Sequence, residues 1–203
     1  MKILVFQTPT CNISNVLRAL NYLEFDVGTA TTSNNLEEYD VLIIPGVGNY
    51  GYVMSQAART DLIEIISHFI KNEKLVIGIC LGFQLLFNSS DEAPNVNGVG
   101  ILKGHFELLP THCEMKPPKI GFSETLIETN YGDVIGKYDF YYLHKYALLS
   151  TPEQYDSIGY SKFNGMKYIS FFKKNNIVGC QFHPELSSNV GLTFLKDIIT
   201  GPY

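Results

Sequence analysis

The sequence has no apolar run approaching the roughly 18 residues that a membrane-spanning helix needs, so a helical membrane protein is not expected. It has no dense Lys/Arg cluster, and its formal net charge is -5, so no nucleic-acid surface is expected either. Cysteine is sparse. Cys11, Cys80, Cys113 and Cys180 are widely scattered, and none forms a C-x-x-C pair or sits at zinc-ligand spacing beside a histidine. No metal site and no cofactor is therefore expected, and in a reducing cytosol the thiols stay free. The start, MKILVF, lacks the long apolar stretch and cleavage site of a signal peptide. A soluble cytoplasmic protein is the expectation. No repeat, low-complexity stretch or linker divides the 203 residues, so one domain over 1–203 is expected, long enough to bury a substantial core. A hydrophobic fraction of 45% and a charged fraction of 17% fit an ordinary globular chain.

What is present alternates. Lys2–Phe6 is a short β-rich run, and Asn15–Leu23 places Val16, Leu17, Leu20 and Leu23 at helical spacing. Phe25–Ala30 reads as a second strand. Asp40–Pro45 is a continuous apolar run, the mark of a strand covered on both faces. A helical stripe at Leu62, Ile65, Ile66, Phe69 and Ile70 precedes the apolar strand Leu75–Ile79, and Phe83–Phe87 begins another helix. This order implies parallel strands with crossover helices. Beyond about residue 97 the strands crowd together, with candidates at Phe140–Leu149, Ser157–Phe163, Tyr168–Lys173 and Ile177–Phe182. Lys174-Asn175-Asn176 looks like a hairpin turn, and Leu192, Leu195, Ile198 and Ile199 suggest a closing helix. The fold class expected is α/β, a mostly parallel sheet covered by helices with an antiparallel extension in the C-terminal half.

Three segments bear on chemistry. Gly78-Ile79-Cys80-Leu81-Gly82 is a G-x-C-x-G between an apolar strand and a helix, the cysteine form of a nucleophile elbow. Such a turn lifts the thiol out of the sheet and sets it at a helix N-terminus, which favours the thiolate. It also places the Leu81 N–H to stabilise an oxyanion. The competing reading is a buried cysteine in a glycine-punctuated turn. His183-Pro184-Glu185 follows the last strand and offers a base with a carboxylate to orient it, although alone the tripeptide is more often an ordinary loop. Pro45-Gly46-Val47-Gly48 ends a buried strand at the sheet edge where Cys80 emerges. Its glycines allow close approach and a peptide flip, with the Val47 N–H as a second oxyanion donor, or they simply make a turn. Gln84, one helical turn past Cys80, either faces the pocket or solvent. His144 is either a pocket residue or structural. Cys11, Cys113 and Cys180 lack the elbow context and are expected to be inert.

Together, Pro45-Gly46-Val47-Gly48, Gly78-Ile79-Cys80-Leu81-Gly82-Phe83-Gln84 and Gln181-Phe182-His183-Pro184-Glu185 resemble the three signatures of class I glutamine amidotransferases, in order and spacing. Within that class the chain is similar, nearly end to end, to the glutaminase subunits of imidazole glycerol phosphate synthase. Asn49-Tyr50-Gly51, Ser89-Ser90, Phe140-Tyr141 and Ser187-Ser188 support this. The resemblance implies a flavodoxin-like fold and a thioester mechanism. Cys80 would attack the side-chain amide of glutamine, His183 would move the proton, and Glu185 would orient His183. The N–H groups of Leu81 and Val47 would hold the oxyanion. Gly48 and Gln84 would line the glutamine pocket, with the backbone of Lys145 and Tyr146 nearby. Ammonia would pass to a (β/α)8-barrel cyclase of histidine biosynthesis in a heterodimer, the glutaminase staying near-silent until that partner binds its own substrate.

The chain departs from the family pattern in partner-facing parts. Phe6-Gln7-Thr8-Pro9-Thr10-Cys11-Asn12 replaces an acidic, aromatic and G-x-G-N run, Leu186 stands where a lysine is usual, and Phe122 where a tryptophan is usual. These departures keep open an alternative, a paralogue supplying ammonia to an amidotransferase that builds an acetamidino surface sugar. A cysteine peptidase, a γ-glutamyl hydrolase and a non-catalytic interaction protein are the readings from other classes.

Overall fold

The computed structural model describes residues 1–7, 13–57, 59–111 and 115–201. Cys11, with the atypical segment around it, and Cys113 lie outside the described residues. The apolar runs form β1 (Lys2–Phe6), β2 (Asp26–Ala30), β3 (Val41–Ile44) and β4 (Leu75–Ile79), linked by the helices α1 (Ser14–Tyr22), α2 (Tyr50–Gln56) and α3 (Leu62–Lys71). After the elbow come the short helix α4 (Leu81–Leu85) and the strands β5 (Ser89–Ser90), β6 (His105–Leu108), β7 (Lys119–Thr129), β8 (Val134–His144), β9 (Tyr146–Leu148), β10 (Ser157–Phe163), β11 (Met166–Lys174) and β12 (Ile177–Cys180), then the helix α5 (Ser188–Thr200).

The sheet path is β2-β1-β3-β4-β12-β11-β10-β7-β8. Its first five members pair in parallel, and β12 docks on β4 with Gly179 opposite Gly78 and Cys180 opposite Ile79. From β12 onward the pairing is antiparallel. Order 2-1-3-4 followed by β12 is the doubly wound arrangement in which ligands sit beyond the carboxyl ends of the strands. The fold class read from the sequence is borne out.

Strand alternation sends side chains to two cores. Ile3, Val5, Val41, Ile43 and Ile77 face α1 and α5 on one side, packing with Leu20, Phe194 and Leu195. Leu4, Leu42, Ile44 and Val76 face α3 on the other, packing with Leu62, Ile65 and Phe69. All four residues of β3 are buried, which is why that segment reads as a continuous apolar run. Each fully buried Leu, Ile or Phe contributes about 1.5–3 kcal/mol of burial, so the parallel half is held chiefly by these two layers. No described helix is long and apolar enough to cross a membrane.

Three expectations shift. β7 and α2 are absent from the sequence reading, and β8 begins at Val134 rather than Phe140. β7 mixes Gly121, Ser123 and Glu124 with its apolar residues, and it is stabilised by ladder pairing with β8 from Lys119↔His144 to Glu128↔Val134. The expected strand through Leu149 breaks at Lys145. There β8 ends and β9 leaves to pair with β6 and β11. The expected hairpin at Asn175 is present, with Lys174 opposite Ile177 and Asn175 at φ 52.

Candidate active site

Cys80 sits where β4 ends and α4 begins, in a strained conformation, φ 52 and ψ -104. A non-glycine residue there costs about 1–3 kcal/mol and needs surroundings that fix it. The glycines beside it permit the approach. A Cβ on Gly82 would lie 1.8 Å from the Ile44 carbonyl oxygen, and one on Gly46 would lie 2.4 Å from the Leu81 Cβ. The Cys80 N–H donates to the Cys180 carbonyl at 2.7 Å, tying the elbow to β12. The thiol projects at the carboxyl edge of the sheet, where it donates to the Leu143 carbonyl at 3.7 Å.

His183 follows β12 and bridges β8. Its N–H donates to the Tyr141 carbonyl at 2.9 Å, and its own carbonyl accepts from the Ser187 hydroxyl at 2.6 Å. The imidazole is buried, and its Nδ1 lies 2.8 Å from Glu185 Oε1. Nε2 has no hydrogen-bond partner among the described residues. Burial opposes charge on this ring, but Cys80 and then Glu185 outweigh it and hold the group well above the ordinary histidine range. Cys80 and the His183–Glu185 pair, distant in the chain, are thus brought together. That geometry can hold a thiolate beside an imidazolium whose far nitrogen is fixed by a carboxylate.

A cavity of about 290 Å³ opens over Cys80, lined by Val47, Gly48, Leu81, Gln84, Lys145 and Tyr146 among others. Every residue expected at the glutamine pocket borders it. Two are placed differently from expectation. The Leu81 N–H donates to the Gly46 carbonyl at 3.3 Å and so is engaged by the Pro45–Gly48 turn instead of facing open space. Gln84 is buried, neither solvent-facing nor free: its Nε2 donates to Gln181 Oε1 at 3.2 Å, and Gln181 Nε2 in turn donates to Cys80 Sγ at 3.5 Å. Gly48 has φ 141, a conformation that favours glycine.

Two residues that the sequence reading did not single out matter here. Gln181, deep in the motif before His183, touches the sulfur itself. Glu92 lines the cavity with its carboxylate held by the Asn49 side chain at 3.0 Å and the Tyr50 N–H at 3.2 Å. Only the fold brings Glu92 to Gly48; its sequence context, Ser89-Ser90-Asp91-Glu92, reads as a polar loop. His144 borders the same cavity, but both ring nitrogens are turned to protein partners, Tyr146 and Tyr168. Burial lowers it to about 3, so it stays neutral. Cys180 is fully buried, and burial pushes its thiol well up, as befits an inert cysteine.

A doubly wound sheet whose cysteine elbow and glycine turn border one cavity, with a buried histidine–carboxylate pair beside the cysteine, marks an amidotransferase-type hydrolase. The profile of the glutamine amidotransferase class-I family matches residues 7–199, and the chain belongs to that family. Its curated relatives narrow this further. The imidazole glycerol phosphate synthase subunit HisH of Thermotoga maritima is 31% identical, with 98% of this chain and 96% of that protein covered. The subunit of the same name from Exiguobacterium sibiricum is 36% identical over 92% of this chain and 88% of that one. The imidazole glycerol phosphate synthase hisHF of Arabidopsis thaliana is 32% identical over 91% of this chain, which spans only 32% of that longer protein. Among solved structures, PurLQS from Thermotoga maritima superposes with a TM-score of 0.75 over 98% of this chain and 97% of that one. At 20% identity it speaks for the fold alone.

Proposed function

We propose that this chain is the glutaminase subunit of an imidazole glycerol phosphate synthase, hydrolysing glutamine and passing the ammonia to a cyclase partner in histidine biosynthesis. The observation that carries the reading is the approach of the buried His183–Glu185 pair to Cys80, which borders the cavity, in a chain that matches HisH subunits nearly end to end. The names of these relatives give the sugar-amidating alternative no support.

In the mechanism, His183 takes the thiol proton and Cys80 Sγ attacks the side-chain carbonyl carbon of glutamine. The tetrahedral intermediate collapses as the C–N bond breaks and His183 returns the proton to the departing nitrogen. Water then attacks the thioester, releasing glutamate and restoring the thiol. Glu185 keeps the imidazole in the tautomer that presents Nε2. Gly48, Gln84, Lys145 and Tyr146 form the glutamine pocket, and Glu92 supplies a carboxylate suited to an α-amino group. The N–H of Leu81 becomes an oxyanion donor once the Gly46 carbonyl lets it go, and a turn of the Gly46–Val47 peptide would both free it and present the Val47 N–H. A subunit waiting in this form is slow until a partner triggers the turn.

The partner reading is supported by the surface around the cavity. Val47, Leu143, Ile120, Phe122 and Leu186 are all exposed, and β7–β8 pairing places Ile120 opposite Leu143 and Phe122 opposite Tyr141. An apolar rim about an active site is suited to burial under another protein, here a (β/α)8-barrel cyclase forming a heterodimer. Fused relatives such as hisHF of Schizosaccharomyces pombe, in which this chain spans 37% of the length, are consistent with a partner carried on the same polypeptide. The test is glutamate release by the purified chain, alone and mixed with the histidine cyclase of the same source plus its ribonucleotide substrate. Strong stimulation is expected; none, with the cyclase active on ammonia, would overturn the assignment.

A further inference from the structure

Lys119 opens β7 and is almost fully buried, 8% exposed, at the register position opposite His144. Among the described residues no carboxylate pairs with it. Instead its Nζ donates to Ser161 Oγ at 2.9 Å, the Lys162 carbonyl at 3.0 Å and the Tyr168 hydroxyl at 2.9 Å. Three N–H bonds meet three acceptors, and the rings of Tyr142 and Tyr168 lie 4.2 and 5.1 Å from the nitrogen.

An ammonium can only donate, which fixes the direction of every hydrogen bond along the chain of groups it starts. The Tyr168 oxygen must accept from Lys119, so its one proton is free for His144 Nε2 at 3.2 Å. With Nε2 accepting, the imidazole proton sits on Nδ1, which donates to the Tyr146 carbonyl at 2.9 Å. The relay ends on the junction from Leu143 to Tyr146, where β8 gives way to β9 and pairing passes from β7 to β6. That stretch carries the Leu143 carbonyl against Cys80 Sγ and the backbone of Lys145 and Tyr146 beside the cavity.

We propose that Lys119, acting through Tyr168 and His144, is a positioning residue that sets the Leu143–Tyr146 wall of the glutamine pocket and thereby the affinity for glutamine. The inference rests on the glutaminase function proposed for the Cys80 site. The backbone of this wall is also held by pairing of Leu143 with Ile120, His144 with Lys119 and Tyr146 with Leu108, and by the Leu109 N–H donating to the Lys145 carbonyl. The relay adds a side-chain tether at the Tyr146 carbonyl, and a shift of a few tenths of an ångström there falls first on substrate binding, because Cys80 is tied to Cys180 of β12 and His183 to Tyr141, further back along β8.

Three substitutions separate this from a role in general packing. Tyr168→Phe keeps the ring and deletes the bridging hydroxyl; Lys119→Met deletes the charge; Ser161→Ala removes a lysine partner outside the relay. Measured in the complex with the ligand-loaded cyclase, Tyr168→Phe is expected to raise KM for glutamine roughly fivefold or more with kcat within about twofold. Lys119→Met should do the same, the double variant should be no worse than either single, and Ser161→Ala should leave KM within about twofold. An unchanged KM in Tyr168→Phe, a loss falling equally on kcat, or multiplicative effects in the double variant would overturn the proposal. A second readout needs no activity. Nitrogen-15 spectra of the full chain at neutral pH should show His144 as the neutral Nδ1–H tautomer with a hydrogen-bonded Nε2, and Tyr168→Phe should shift the Nε2 resonance to that of an unbonded nitrogen while the Tyr146 carbonyl keeps the proton on Nδ1. An Nε2–H or doubly protonated ring in the unsubstituted chain sinks the relay, whereas an unsubstituted complex without glutaminase activity sinks the functional proposal instead.

Discussion

At the residue scale, the site is a set of local conflicts resolved by contacts. Cys80 is held at φ 52 because β4 and β12 clamp both sides of it, and Gly46 and Gly82 leave no bulk to relieve the turn. If Cys80 is the nucleophile, Cys80→Ala abolishes glutamine-dependent product formation while the complex still turns over with added ammonia. Residual glutamine-driven turnover would reassign the nucleophile. Glu185→Ala leaves His183 Nδ1 without its acceptor, and stimulated glutamate release should fall by about 10²-fold or more. Gly48 has φ 141, so Gly48→Ala strains the turn by about 1–3 kcal/mol where the oxyanion switch is proposed. We expect at least a tenfold loss of stimulated glutaminase rate, with ammonia-dependent turnover unchanged; full stimulated activity would argue against a mobile turn. These residues were legible in the sequence because glycine spacing and the H-P-E tripeptide record local geometry. Glu92 and Gln181 were not singled out, since their proximity to Gly48 and to the Cys80 sulfur comes from the meeting of separate segments.

Elements show a different division. β1, β3 and β4 are apolar on both faces and readable at once, because helices cover them on both sides. β7 escapes the same reading: Gly121, Ser123 and Glu124 interrupt it, and its partner strand β8, not its own composition, makes it extended. The start of β7 carries the buried Lys119, which burial lowers from 10.5 to about 8. Between those values the unfolded chain keeps a proton that the folded chain has released, so stability rises with pH across the window. The gain is at most about 3 kcal/mol over the full interval. Tyr142, pushed up to about 12 by burial, and Tyr168, pushed higher still, stay neutral there. Raised His183 and Cys180 pull stability the other way in both chains, so the Lys119 contribution is read as a difference: between pH of about 7.5 and about 9.5, urea unfolding of the unsubstituted chain should gain stability relative to Lys119→Met. Parallel trends would mean that Lys119 is not depressed.

The whole molecule joins a parallel layer that carries the elbow to an antiparallel extension that walls the pocket, with β12 belonging to both. The exposed Ile120, opposite the cavity-lining Leu143, and Phe122, opposite Tyr141, stand on the extension, while the cavity-lining Val47 follows β3 of the parallel layer. A partner seated there would bridge the two and reach the Gly46–Val47 peptide. Phe122→Asp is expected to weaken cyclase docking by about tenfold or more, near 1.4 kcal/mol, read as a shift in the cyclase concentration needed to stimulate glutamate release. Its own unfolding midpoint should hardly move, because Phe122 is a surface residue. Unchanged docking would place the partner elsewhere. By itself the sequence determined the α/β class, the two-faced core and the three motifs, since periodicity and glycine placement are written one residue at a time. Tertiary structure alone decided that β12 carries His183 to Cys80, that Gln84 is spent on Gln181, that the Leu81 N–H is engaged by Gly46 and that Lys119 reaches the pocket wall. Each of these is a contact between segments far apart in the chain, fixed by which strands pair and in what register.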